Sequence, residues 1–132
     1  MKTKNLSILI VENDEKYQEK LKTVLDAMLP EYMKQYAYVK SHQELEERVQ
    51  MKQYDVALVD FSLDNDAELW RTDAAYSAMI LDRSQPGCMR IGLSSVPTMY
   101  TEQFKDVYAC IIGKNDFDLK DKLKNKLEKI VQ

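Results

Sequence analysis

Cysteine, glycine and histidine are all scarce in this chain, and each scarcity closes off a class of function. The 132 residues include 2 cysteines, Cys88 and Cys110, which stand far apart with no CxxC or metal-like spacing. They read as two reduced thiols near strand ends, not as a redox pair or a zinc site. With 3 glycines there is no Gly-rich loop to cradle a phosphate, which argues against a small-molecule or nucleotide enzyme. The one histidine, His42, opens a predicted helix away from every other candidate group and is expected to be exposed and incidental. No apolar run approaches the ~20 residues that span a bilayer. The basic start, Met1 to Asn5, precedes a run too short for a signal-peptide core. A net charge of −3 supplies no basic field to gather nucleic acid or anionic lipid. The expectation is a cytoplasmic domain with no nucleic-acid or membrane partner.

The composition, 45% hydrophobic and 31% charged, is that of an ordinary globular protein. The length suits one domain over residues 1–132, able to bury a single core without disulfides or a structural metal. A strand is predicted at about 6–11. It is followed by a helix with Tyr17, Leu21, Val24, Leu25, Met28 and Leu29 at apolar positions, capped by Asn13 or Asp14 and closed before Pro30. A weaker strand near 35–40 alternates Tyr36 and Tyr38 with Ala37 and Val39, as an edge strand does. Ser41 and Glu44 form a capping box for a helix through about Gln53. A third strand covers 55–60. Thr72 then caps a helix carrying Ala75, Ala78, Met79 and Leu81, unless that helix starts earlier, near Asp64; it ends before Pro86-Gly87. A strand at about 89–94, a short helix with Phe104 and Val107 after the Val96-Pro97 turn, and a strand at 109–113 come next. A last helix from about Asp116 turns Leu119, Leu123, Leu127, Ile130 and Val131 inward. This βαβαβαβαβα order implies a doubly wound α/β fold with a parallel sheet and right-handed crossovers.

Four of the strands end on polar residues of different kinds. Ile8-Leu9-Ile10-Val11 runs into Glu12, Val56-Ala57-Leu58-Val59 into Asp60, Ile91-Gly92-Leu93 into Ser94, and Cys110-Ile111-Ile112-Gly113 into Lys114. In open α/β sheets the working groups lie just beyond the carboxyl ends of the strands. Two carboxylates, a hydroxyl and an ammonium are therefore expected at one edge of the sheet, a set suited to holding a cation and accepting a phosphoryl group. Taken singly each residue is commonplace: an aspartate that caps a turn, a surface lysine, a turn serine, a solvated loop acid. The ordered set is the signal.

Across essentially the whole chain this pattern resembles the receiver domain of two-component response regulators. The resemblance implies a five-stranded parallel sheet of order 2-1-3-4-5, flavodoxin-like, with Asp60 as the phosphoryl acceptor. It also implies a magnesium ion held by Glu12, Asp60, the backbone carbonyl of Ser62 and, less securely, Asn13. Lys114 would pair first with Asp60 and then with a phosphoryl oxygen, and Ser94 would donate its hydroxyl to another. A carboxylate attacking an already anionic phosphoryl group needs positioned positive charge. A histidine kinase or histidine phosphotransfer protein would be the donor, and an unidentified protein would read the result.

Several residues depart from the family pattern. Asn13 stands where a second carboxylate is usual, so metal binding is expected to be weaker unless Asp14 compensates. Asn115 replaces the proline after the lysine. Because a cis bond before a non-proline residue costs about 3–4 kcal/mol, the Lys114–Asn115 bond is expected to be trans, with Asn115 or Asp116 capping the last helix. Ile111 replaces the aromatic that turns inward on activation; Tyr100, Phe104 and Tyr108 are nearby substitutes, more simply read as packing. The loop after Asp60 is longer than usual and carries Asp64, Asp66, Glu68 and Trp70, most simply as a solvated acidic loop. A phosphoaccepting module, not an enzyme acting on other substrates, is the leading expectation. A degenerate receiver that binds partners without phosphorylation is the alternative.

Overall fold

The computed structural model describes residues 4–61, 63, 70–95, 104, 106–115 and 117–130, with the side chains of residues 70–73 and 130 excepted. Within these residues lie β1 (Lys4–Val11), α1 (Glu15–Asp26), β2 (Tyr32–Val39), α2 (His42–Arg48), β3 (Val56–Asp60), α3 (Trp70–Ser84), β4 (Met89–Ser94), β5 (Cys110–Gly113) and α4 (Leu119–Ile130). The strands form one parallel sheet in the order β2-β1-β3-β4-β5, the doubly wound arrangement expected from the alternating pattern.

Successive side chains on a strand face opposite sides of the sheet, and the core divides accordingly. Leu6, Ile8 and Ile10 of β1 and Val56 and Leu58 of β3 pack with Tyr17, Leu21 and Leu25 of α1 and with Leu119, Leu123 and Leu127 of α4. Leu9, Val11, Ala57 and Val59 pack on the other side with Leu45 of α2 and with Ala74, Ala78 and Leu81 of α3. Both central strands are thus buried on both faces, which explains their solid aliphatic runs. The β2 edge is wetter, and its tyrosines are half-buried.

Several boundaries shift from the sequence expectations, each for a physical reason. Asp14, not Asn13, caps α1, accepting from the Lys16 N–H at 2.9 Å. That helix stops at Asp26, before Met28 and Leu29. Ala27 caps it, its N–H donating to the Leu25 carbonyl, and Leu29, just before Pro30, takes a φ of 47°, outside the right-handed helical region. The Ser41 cap is present, with the Glu44 N–H donating to its Oγ at 3.2 Å, but α2 ends at Arg48 and does not reach Gln53. Gln85 is the reason. Fully buried at the end of α3, it donates to the carbonyls of Val49 and Lys52 at 2.9 and 2.8 Å and accepts from the Tyr54 N–H at 2.7 Å. One side chain satisfies three backbone groups that a longer helix would have had to pair itself.

Thr72 lies inside α3, not at its cap, and α4 begins at Leu119, leaving Asn115 outside the helix. Asp116 and Val131 are outside the described residues, as is most of the segment expected to carry the short helix. Its described part is a turn, in which the Val107 and Tyr108 N–H groups both donate to the Phe104 carbonyl at 3.0 Å.

Gly92 of β4 has a specific reason to lack a side chain. A Cβ there would lie 2.5 Å from Cζ of Phe61, the buried residue directly after Asp60. The Phe61 ring packs against Phe104 and Tyr108, with centroids 5.5 and 5.0 Å away, and the Tyr108 hydroxyl donates to the Ala74 carbonyl at 2.7 Å. Gly92→Ala should therefore cost about 1–3 kcal/mol in unfolding free energy, the usual range for overpacking a core. Trimming the ring in a Gly92→Ala/Phe61→Leu double variant should make the two losses less than additive. Urea unfolding of the four proteins in that cycle measures the coupling, and strict additivity would disprove the clash.

Candidate functional site

The register of the sheet sets the polar strand ends side by side. Val11 of β1 is opposite Val59 of β3, so Glu12 and Asp60 follow as neighbours. Ser94, the last residue of β4, is opposite Gly113 of β5, and Lys114 follows. The Phe61 N–H donates to the Leu93 carbonyl and the Lys114 N–H to the Ser94 carbonyl, both at 2.9 Å, which carries the pairing past the strand ends. Glu12, Asp60 and Ser94 are buried, with 0%, 2% and 3% of their surface exposed.

Lys114 closes the group. Its Nζ lies 3.0 and 3.2 Å from the two Glu12 carboxylate oxygens and 3.4 Å from Asp60 Oδ1. The four residues expected at one sheet edge are thus brought there, and three of them form one ion cluster. Tyr17 supports it from α1: its hydroxyl donates to the Lys114 carbonyl at 2.9 Å, and its ring centroid is 4.4 Å from Lys114 Nζ. The neighbouring Gln18 donates to the Glu12 carbonyl at 2.7 Å. The sequence reading took Tyr17 as plain core and passed over Gln18. Their position just after a strand that ends in a candidate acid was the available signal.

The remaining expectations divide between those the structure meets and those it does not. Asn13 is half-buried beside Glu12. Asp14 is exposed and its carboxylate is engaged in capping α1, so it does not stand in for a second buried acid. The Lys114–Asn115 bond is trans. Ser62, proposed to offer a backbone carbonyl, lies outside the described residues, as do Asp64, Asp66, Glu68, Tyr100 and the side chain of Trp70. Phe104 and Tyr108 are core residues. His42 is not exposed: half-buried, it packs on Tyr76 of α3 with ring centroids 4.7 Å apart, and the Tyr76 hydroxyl donates to Glu46 at 2.8 Å. Cys88 and Cys110 are free thiols, and burial pushes Cys88 up to about 12, leaving it unreactive.

The electrostatics of the acid pair are unusual. Burial and the adjacent charge of Asp60 raise the Glu12 carboxyl to about 7, against the opposing pull of Lys114. A pair of hard carboxylate oxygens, one of which cannot stay ionised beside the other without more positive charge, fits a divalent cation such as magnesium. Among the described residues there is no group of three or more acidic, cysteine or histidine side chains able to hold a metal. A metal set built on Glu12 and Asp60 would, among the described residues, draw further on the Asn13 amide or on backbone carbonyls. No described helix is long and apolar enough to cross a membrane.

No protein-family model and no curated protein matches this chain. Solved structures do. The receiver domain of the sensor histidine kinase PA1611 from Pseudomonas aeruginosa, described with a magnesium ion coordinated in its active site cleft, matches with a TM-score of 0.74 at 15% identity over 97% of this chain and 99% of that one. A response regulator from Thermotoga maritima matches with a TM-score of 0.72 at 16% identity, over 96% and 98% of the two chains. RcsB from Salmonella enterica, bound to promoter DNA with a phosphomimetic, matches with a TM-score of 0.74 at 14% identity, over 97% and 100%. The fold is that of receiver domains.

Removing the Glu12 charge should stabilise the metal-free protein in a pH-dependent way. Below the ordinary carboxyl value of 4.5 the folded and unfolded chains both hold the proton. Between 4.5 and about 7 the folded chain keeps it while the unfolded chain has released it, so stability falls as pH rises through that window. Glu12→Gln should match the parent near pH 4.5 and exceed it by about 1–3 kcal/mol at pH 8 in chelator. Parallel denaturant titrations across that range test this, and a gain that is absent or independent of pH would contradict it.

Proposed function

We propose that this chain is a response-regulator receiver domain in which Asp60 accepts a phosphoryl group from a histidine kinase or histidine phosphotransfer protein. The observation that carries the reading is the convergence of Glu12, Asp60, Ser94 and Lys114 at the carboxyl ends of four adjacent strands. A carboxylate oxygen of Asp60 attacks phosphorus, the bond from phosphorus to the donor breaks, and an acyl phosphate forms on the aspartate. Lys114, already 3.4 Å from Asp60, moves its charge onto a phosphoryl oxygen, and the Ser94 hydroxyl donates to another. Glu12, Asp60, the backbone carbonyl of Ser62 and, as a further ligand, the Asn13 amide would hold magnesium, which when bound supplies positive charge to the phosphoryl oxygens. The module acts on no substrate but itself, works in the cytoplasm, and signals by binding another protein in its phosphorylated form.

The alternative reading, an interaction module indifferent to phosphorylation, is favoured by one observation. Asn13 brings no charge to the metal set, and Asp14 is committed to the α1 cap.

Acetyl phosphate with magnesium should add one phosphoryl group at Asp60, detectable by intact-mass spectrometry and abolished in Asp60→Asn and in chelator. An adduct that survives either control, or no adduct at all, would remove Asp60 from the role.

Asn13→Asp should tighten magnesium binding by about tenfold. An added unit charge roughly 4 Å from a cation is worth about 1 kcal/mol even in bulk water and more where water is partly excluded. Titration calorimetry on both proteins decides the point; equal affinities would take position 13 out of the metal set.

A further inference from the structure

We propose that Tyr17 is the positioning residue for Lys114, a role that rests on the phosphoacceptor reading and specifies how its cation is aimed. Lysine is a compact charge on a flexible four-carbon stem, and ordering it forfeits ~2 kcal/mol of rotamer entropy. Lys114 follows the four-residue strand β5 and precedes Asn115, so the chain beyond it supplies no ring to stiffen the backbone. Tyr17 makes up for this at both ends of the residue. Its hydroxyl holds the Lys114 main-chain carbonyl at 2.9 Å, and its ring face lies 4.4 Å from the ammonium. A cation over an aromatic face is attracted to it, more strongly where water is excluded. Tyr17 is 9% exposed, so the ring itself has little freedom.

The surrounding contacts fit that role. Lys20, one turn along α1, has its Nζ 5.4 Å from the same ring and 3.5 Å from the same carbonyl. Gln18 holds the Glu12 carbonyl from the adjacent position. Consecutive residues of α1 therefore set the main chain of the acid and the main chain of its cation. Tyr17 meets Lys114 at both its carbonyl and its ammonium, and acts through it.

The test uses the full chain and two variants. In Tyr17→Phe the ring remains and the tether to the carbonyl is lost; in Tyr17→Leu both are lost. The first readout is independent of phosphorylation. The ε-methylene protons of Lys114, assigned by NMR with a Lys114→Arg control, should be shifted upfield by the Tyr17 ring current. Tyr17→Phe should keep that shift and Tyr17→Leu should lose it. The second readout is the rate of Asp60 phosphorylation by acetyl phosphate at saturating magnesium. It should fall about threefold in Tyr17→Phe and about tenfold in Tyr17→Leu, a modest part of what misplacing a catalytic group can cost. The magnesium concentration for half-maximal rate should not rise, whereas general loosening of the site would raise it.

Lys114 protons without a ring-current shift in the parent would overturn the proposal, as would a folded Tyr17→Leu protein that is phosphorylated at the parental rate. If Tyr17→Leu does not fold, an unchanged rate in Tyr17→Phe overturns the tether, and a reduced one at unchanged magnesium dependence supports it. If the parent takes up no phosphoryl group, the phosphoacceptor reading fails separately. The ring-current shift then still decides whether Tyr17 holds Lys114.

Discussion

Glu12 and Asp60 lie side by side and out of water at the ends of β1 and β3, and two buried carboxylates in contact cannot both remain ionised without a cation. The rest of the site is arranged around that constraint. Lys114 crosses from the end of β5 to lie between them, and its positive charge falls short of compensating both, so Glu12 is left titrating near neutrality. A buried ion cluster of this kind is poor evidence for stability, because desolvation offsets most of the Coulomb gain. It is better read as a site whose electrostatic demand is left partly unmet. A divalent cation would find the complementary negative charge already fixed in place.

The parity of the pleat explains why α1 controls this cluster. Ile8, Ile10 and then Glu12 alternate with Leu9 and Val11, so Glu12 shares the face on which β1 packs against α1 and α4. Leu58 and Asp60 of β3 share that face, as do Ile112 and Lys114 beyond β5. The same alternation that buries apolar residues against α1 therefore delivers both acids and the lysine to its N-terminal end. Tyr17 and Gln18 stand there, in the first turns after the Asp14 cap.

Legibility in the sequence followed the same physics. The central strands were readable because burial on both faces demands unbroken aliphatic runs, and the polar residue ending each run was readable as the point where burial stops. Helix ends were less so. Nothing local to Arg48 announces the end of α2, which is set by Gln85, a residue 37 positions away whose amide satisfies the loop. Leu29 satisfies the helical period yet lies beyond the helix, which ends at Asp26, and takes a φ of 47°. His42 looked isolated in sequence and is packed against Tyr76 only because α2 and α3 are neighbours on one face. Tyr17 carried a correct structural reading, as part of the inward stripe, that concealed its second role: an amphipathic side chain can bury its ring and still present a polar tip.

The likeness to receiver structures at 14–18% identity is intelligible on the same grounds. A doubly wound sheet is specified by pattern, and many aliphatic combinations fill the same two core layers. Individual identities matter where close approach or charge leaves no choice. Gly92 is one such place: it gives Phe61 room to lie across β4, and Phe61 is covalently next to Asp60. A displacement of the Asp60 backbone would therefore bear on a ring packed on Phe104 and Tyr108, and the Tyr108 hydroxyl in turn donates to the main chain of α3. Packed aromatic clusters shift between discrete arrangements more readily than they deform. The contacts that lead from Asp60 to the α3 face thus run through Phe61 and Tyr108, while position 111 holds an isoleucine packed against the same core.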